Sequence, residues 1–224
     1  MIDYAQIYRA LRGRVCDLVR EADGEQLELL APAAPEWRVR DLVAHLSGIT
    51  ADINAGNLEG VATNAWTACQ VDTRREWSID QLLDEWDTEA AKIEVVMSSL
   101  PDVAMGQMTM DAATHEHDIR GALERPGGRD SDAVVVGFDW GVRAMTGPVD
   151  AAGATLRLDT DAGTKTVGSG ARQIEVRTAR FELLRAMTGR RSLDQLRAFD
   201  WEGEAAPELL VLGLFTPRPT PLVE

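Results

Sequence analysis

The three histidines of this chain fall in two short stretches, Trp37-Arg-Val-Arg-Asp-Leu-Val-Ala-His45-Leu and Asp111-Ala-Ala-Thr-His115-Glu-His117-Asp118. Both read as helical. A carboxylate and an imidazole four residues apart lie one turn apart on the same helical face. With a third donor from another helix, such a pair makes an open metal site, one that keeps a coordination position for water or substrate. No other part of the chain offers residue types at catalytic spacing.

At 100° per residue, Asp111 and His115 differ by about 40°, and Asp118 lies about 60° from His115, so all three point one way. Met108, Ile119 and Ala122 share that side, which marks it as the face turned to the core. His117 lies about 200° from His115, with Ala113 and Arg120, so the two histidines cannot serve one metal from an intact helix. His117 is therefore expected to meet solvent or a neighbour. His45 shares an apolar side with Leu42, Leu46 and Ile49. Two imidazoles and a carboxylate suit zinc or another divalent transition metal, with Asp118 placed to hold an imidazole tautomer from behind. The same residues also suit a buried Asp–His pair without metal, because a buried charge is costly unless it is paired or ligates a metal. Pattern alone leaves both readings standing.

Four amphipathic helices must position these groups. Ile7, Leu11, Val15, Leu18 and Val19 follow helical spacing to about Ala22, and a break follows at Ala31-Pro-Ala-Ala-Pro35. A second helix starts near Val39 and ends near Gly56 to Gly60. Ser78-Ile-Asp-Gln81 forms a capping box, after which Leu82, Leu83, Trp86, Ala90, Ile93 and Met97 line one face as far as Pro101. A fourth helix spans Met105 to Leu123 and stops at Pro126-Gly-Gly128. This predicts a four-helix bundle over 1–127, with a long irregular connection between its second and third helices.

After Gly128 the pattern changes. Val134 to Met145 reads as helical, and Ala154 to Asp161 alternates with period two. Asp161-Ala-Gly163 supplies a turn into Thr164–Val167, and Gln173–Arg177 is a further alternating strand. Helices are predicted at Ala179–Met187, closed by Gly189, and at Ser192–Phe199. Residues 128–224 thus read as a small α+β domain, and the chain as a whole as mainly α. The arginines gathered there (Arg172, Arg177, Arg180, Arg185, Arg190, Arg191 and Arg197) read as a solvated or domain-facing surface.

With 23 basic and 37 acidic residues the net charge is −14. That argues against a nucleic-acid partner, whose phosphates need a basic surface. No run of about 18 apolar residues exists, and Met1-Ile-Asp-Tyr4 lacks the features of a signal peptide, so no membrane association and a cytoplasmic location are expected. Cys16 and Cys69 are too few for a disulfide framework. Cys16, on the apolar stripe of the first helix, reads as a small buried hydrophobe.

Pro35-Glu-Trp37-Arg-Val-Arg-Asp-Leu-Val-Ala-His45-Leu and His115-Glu-His-Asp118-Ile-Arg-Gly-Ala-Leu123 closely resemble motifs of the mycothiol-dependent maleylpyruvate isomerase family, a branch of the DinB/YfiT-like metalloproteins. Thr67-Ala-Cys-Gln70 through Arg75, with Leu82-Leu-Asp-Glu-Trp86, looks like its middle segment. Phe181-Glu-Leu-Leu-Arg-Ala-Met-Thr-Gly-Arg-Arg-Ser192, with Asp200-Trp201-Glu-Gly203, looks like its actinobacterial C-terminal part. The resemblance implies a DinB-like four-helix bundle that binds a divalent metal, usually zinc, plus a small α+β C-terminal domain. It carries the metal ligands onto His45, Asp111 and His115, with Asp111 standing where the isomerase has glutamate. It also implies mycothiol as cosubstrate in a transferase or isomerase reaction on a small electrophile, with Gln70 and Arg75 placed to bind the thiol or substrate. The other readings are a non-catalytic metal- or small-molecule-binding module and a purely structural bundle. Either a monomer or a homodimer is compatible with all of these.

Overall fold

The computed structural model describes residues 2–224. Their contacts divide the chain after Gly127 into two compact units.

In the first unit, α1 (Tyr4–Arg20), α3 (Val39–Ala55), α5 (Ile79–Val96) and α6 (Asp102–Ala122) are the long helices, and α2 (Gly24–Leu27) is a single capped turn. Helix α1 packs on α5 and α6, and α3 packs on the same two, which closes a four-helix bundle. The apolar spacing read from the sequence becomes this core: Leu11, Val15, Leu42, Val43, Leu82, Trp86, Ile93 and Ile119 are all shielded from solvent. The Trp86 indole donates to the Tyr8 hydroxyl at 3.0 Å, so the polar edge of the largest buried side chain is matched.

Chain ends of the helices follow local chemistry. Ser78 Oγ accepts from the Gln81 amide at 3.2 Å, and the Gln81 side chain accepts from the Ser78 amide at 2.8 Å, as the capping box requires. Gly56 ends α3 in the left-handed region at φ 73°, where a side chain would be strained. The proline-bearing break before α3 is more regular than the sequence suggests: β1 (Leu30–Ala31) and β2 (Ala34–Arg38) pair antiparallel. The connection between α3 and α5 is not irregular throughout either. It contains α4 (Asn64–Thr73), capped by Thr63 and packed on α3.

Helix α6 differs from the one-sided helix expected. From Met105 to Ile119 it is buried nearly all the way round, with Gly106, Ala112 and Ala113 among its small residues. Neighbours lie on several sides, namely α1, α3 and β1. Its polar residues from Thr109 to Asp118, Asp111 apart, are therefore held in the interior whichever way they point.

In the second unit, α7 (Asp132–Ala151) runs past both ends of the predicted segment and is followed by β3 (Ala154–Thr160), β4 (Gly163–Gly168) and β5 (Arg172–Arg177). Helices α8 (Arg180–Met187) and α9 (Leu193–Arg197) then lead to β6 (Asp200–Glu202), a strand the sequence reading did not assign. The strand order is β4-β3-β5-β6, with β3 and β5 parallel and the outer pairs antiparallel. Ala154, Leu156 and Leu158 alternate inward along β3 and meet Phe138, Met145, Val176, Leu183 and Met187 in a separate core. The arginines of this unit are not one solvated surface. Arg185 and Arg191 are buried, and their charges are met by Glu224 and Glu182. No helix among the described residues is long and apolar enough to cross a membrane.

Candidate metal centre

Helices α3 and α6 bring His45, Asp111 and His115 together. One donor atom from each of the three lies within 4.8 Å of the others. His45 Nε2 is 3.2 Å from Asp111 Oδ2, His115 Nε2 is 3.6 Å from Asp111 Oδ1, and the imidazole centroids are 5.1 Å apart. Both histidines are buried, whereas the Asp111 side chain keeps 32% of its surface. The cluster is thus open on the carboxylate side.

The other nitrogen of each ring faces away from the cluster. His115 Nδ1 lies 2.9 Å from Asp118 Oδ2, a carboxylate with no solvent exposure. His45 Nδ1 lies 2.8 Å from Gln70 Oε1. Gln70 in turn donates its amide nitrogen to Asp52 Oδ2 at 2.8 Å. A carboxylate can only accept, so Asp118 requires the His115 proton on Nδ1. Asp52 likewise accepts from the Gln70 NH2, which leaves the amide oxygen toward His45 Nδ1. The Nε2 atoms of both rings face Asp111. Burial pushes the His115 imidazole below its ordinary pKa, against the opposing pull of Asp111 and Asp118. That direction favours the neutral ring, the form that ligates.

Helix α4 reaches this centre through Gln70, which among the described residues of that helix alone is buried. Gly48 on α3 makes room for it: a Cβ there would sit 2.7 Å from Gln70 Cβ and 2.9 Å from Arg74 Nη1. Arg74 anchors the same helix by bonding Glu85 on α5 at 2.5 and 2.8 Å. Trp37, at the end of β2, lays its indole against both imidazoles, with centroids 5.0 Å from His45 and 5.5 Å from His115.

Placement of the remaining sequence-derived candidates is mixed. Gln70 is inside, but both ends of its amide are engaged by the protein. Arg75 is exposed and pairs with Asp72; the arginine of this segment that turns inward is Arg74. His117 lies outside the three-residue group, yet it is buried against protein rather than turned to solvent, because α6 has neighbours on several sides. Cys16 is buried and Cys69 exposed, both as free thiols. Asp52, Gly48 and Trp37 were not singled out from the sequence. Helical spacing could have found two of them, since Gly48 and Asp52 follow His45 at positions three and seven along one helix.

No family model and no curated protein matches this chain. Solved structures do. The crystal structure of the mycothiol-dependent maleylpyruvate isomerase superposes with a TM-score of 0.57 at 13% identity, covering 91% of this chain and 95% of that one. A histidine-to-alanine mutant of the isomerase gives 0.61 at 11% identity over the same shares. At such identity the likeness is one of fold. The chain shares the fold of that isomerase and is mainly helical with a small sheet-bearing part, as the sequence motifs implied.

Proposed function

We propose that the chain is a divalent-metal-dependent enzyme that couples a low-molecular-weight thiol, mycothiol in the first instance, to a small electrophilic substrate, as an S-transferase or an isomerase. One observation carries this reading: three electron-pair donors, two Nε2 atoms and a carboxylate, converge on one partly open point. A proton shared by an imidazole and Asp111 would join two of them, whereas a cation satisfies all three.

His45, Asp111 and His115 would hold the metal, and zinc fits the set. One donor atom from each residue lies within 4.8 Å of the others, and two imidazoles with a carboxylate are a donor set that zinc takes. Bound there, the metal supplies Lewis acidity that keeps a thiol sulfur deprotonated near neutral pH. The protein's own residues do the rest. Asp118 and Gln70 fix which ring nitrogens are free, and the Trp37 indole shields one side of the imidazoles from water. Asp111 stands at the exposed edge, where a thiol would enter. Its side chain is one methylene shorter than the glutamate of the isomerase pattern, which would draw a metal toward α6. Two free cysteines fit a reducing, cytoplasmic setting.

The test is metal analysis of protein purified without added metal, followed by mycothiol consumption with a panel of electrophiles. About one divalent metal per chain is expected, with thiol conjugation or isomerisation of at least one electrophile class. Full metal content in His45→Ala would overturn the ligand assignment. Failure of mycothiol to bind or react in metal-loaded protein would overturn the thiol-dependent reading.

A further inference from the structure

We infer that Gln70 is a positioning residue: its amide, locked by Asp52, sets the tautomer of His45 and so determines which nitrogen the centre receives. The inference rests on the metal reading above and adds to it a residue from outside the ligand helices. An amide side chain has two ends of opposite hydrogen-bonding sense and can turn over, which makes it a poor determinant of a tautomer by itself. Here the turn is blocked. Asp52 Oδ2 receives the Gln70 NH2 at 2.8 Å, and Asp52 Oδ1 is held by the Asn57 amide nitrogen at 2.9 Å. With Asp52 offering acceptors only, the Gln70 oxygen must face His45 Nδ1, 2.8 Å away.

The surrounding packing supports a role beyond filling space. Gln70 is only 1% exposed on a helix whose other residues keep contact with solvent. An apolar residue would fill that position at lower desolvation cost. Gly48 leaves the gap that lets the Gln70 stem approach α3. The His115 ring obtains the same orientation from a carboxylate on its own helix, so the two imidazoles are fixed by different chemistry. Asp118 acts on His115 with a full charge, whereas Gln70 presents a neutral oxygen to His45. The pairing therefore limits the negative charge gathered around the cation.

The test combines tautomer-resolved histidine NMR on metal-free protein with zinc titration against a chromophoric chelator. In metal-free wild type, above the imidazole titration, His45 is expected to carry its proton on Nδ1. Gln70→Met keeps the stem that packs on Gly48 and is expected to release that preference. Its zinc affinity should fall about 10- to 100-fold, the usual cost of losing an outer partner of a ligating histidine. Gln70→Glu still offers His45 Nδ1 only an acceptor, so it should keep the Nδ1 proton, but it sets two carboxylates together at Asp52. Asp52→Asn combined with Gln70→Glu restores donor to acceptor in the reversed order without that repulsion, and should hold both the wild-type tautomer and most of the affinity lost in Gln70→Met.

Unchanged tautomer and zinc affinity in a folded Gln70→Met would overturn the proposal, as would a double variant no better than Gln70→Met. If wild type binds no zinc, the metal reading fails, and the NMR comparison still decides whether Gln70 sets His45. The rescue pair excludes a merely structural role, since neither of its changes alters side-chain volume appreciably.

Discussion

His115 and Glu116 are neighbours in sequence, and α6 sends them into two polar clusters of opposite design. Glu116 has no exposed surface, and each of its oxygens meets a guanidinium. Arg14 donates to Oε1 and Oε2 at 2.9 and 2.7 Å, and Arg120 donates to Oε1 at 3.0 Å. Charge and hydrogen-bonding sense are matched there by groups the chain supplies. At His115 the order is reversed: donor atoms of one kind converge, and Asp111 leaves a side open. A cluster that completes itself holds helices together, as Arg14 of α1 and Glu116 of α6 do. Under the proposed function, a cluster that gathers one kind of atom would be completed by something brought from outside. The Glu182–Arg191 and Glu224–Arg185 pairs of the second unit belong with the first kind.

That contrast can be broken by substitution. Glu116→Ala should show the largest effect, a loss of about 3 kcal/mol in denaturant unfolding, because two guanidinium groups lose a partner inside the bundle. The folded fraction should still bind zinc with unchanged stoichiometry. A loss below about 1 kcal/mol would put Glu116 among ordinary surface pairs and remove the distinction. Next, zinc at about 100 times its Kd should raise wild-type stability by about 2.7 kcal/mol. His45→Ala and His115→Ala should abolish that increment in the same assay. Equal stabilisation of wild type and His45→Ala would mean the metal sits elsewhere.

A smaller effect is expected on acidification. Burial alone would raise the Glu182 carboxyl, but hydrogen bonds and charge from Arg191 outweigh it and hold the pKa below its ordinary 4.5. The folded state then binds fewer protons than the unfolded one just below pH 4.5, so stability present above that value falls as the pH drops. Glu182→Gln should flatten this part of the stability profile, and an unaltered slope would show that the pair is screened. Smallest of all, His117→Ala should leave zinc affinity unchanged, since His117 lies outside the cluster; a tenfold loss would reopen the choice of ligand.

The legible parts of this chain are those governed by one-dimensional spacing. Four-residue intervals put Asp111 and His115 on one face, where the structure brings them beside His45, and the Ser78–Gln81 box placed the start of α5. Helix α4 was hidden because it is stabilised by capping and by two polar anchors, Gln70 and Arg74, rather than by an apolar stripe. Thr63 was its one local signal. The role of Glu116 was hidden for a different reason. A helix buried on several sides has no solvent face against which an inward charge stands out, so the same angular argument that sorted the histidines is silent about it. Gln70 could be placed near the site from sequence, but its partners come from an aspartate two turns beyond His45, and only the packed structure joins them.

The indole of Trp37 has a further consequence. A chromophore within 5.0 Å of one imidazole centroid and 5.5 Å of the other makes the centre optically addressable. An open-shell ion such as cobalt(II) or copper(II) seated between those rings quenches nearby tryptophan emission by energy transfer, whereas closed-shell zinc leaves it bright. The chain has six tryptophans, so the difference between wild type and Trp37→Phe isolates the one that reports. Under the proposed function, loading, exchange and thiol arrival would then be timed by light on unlabelled protein.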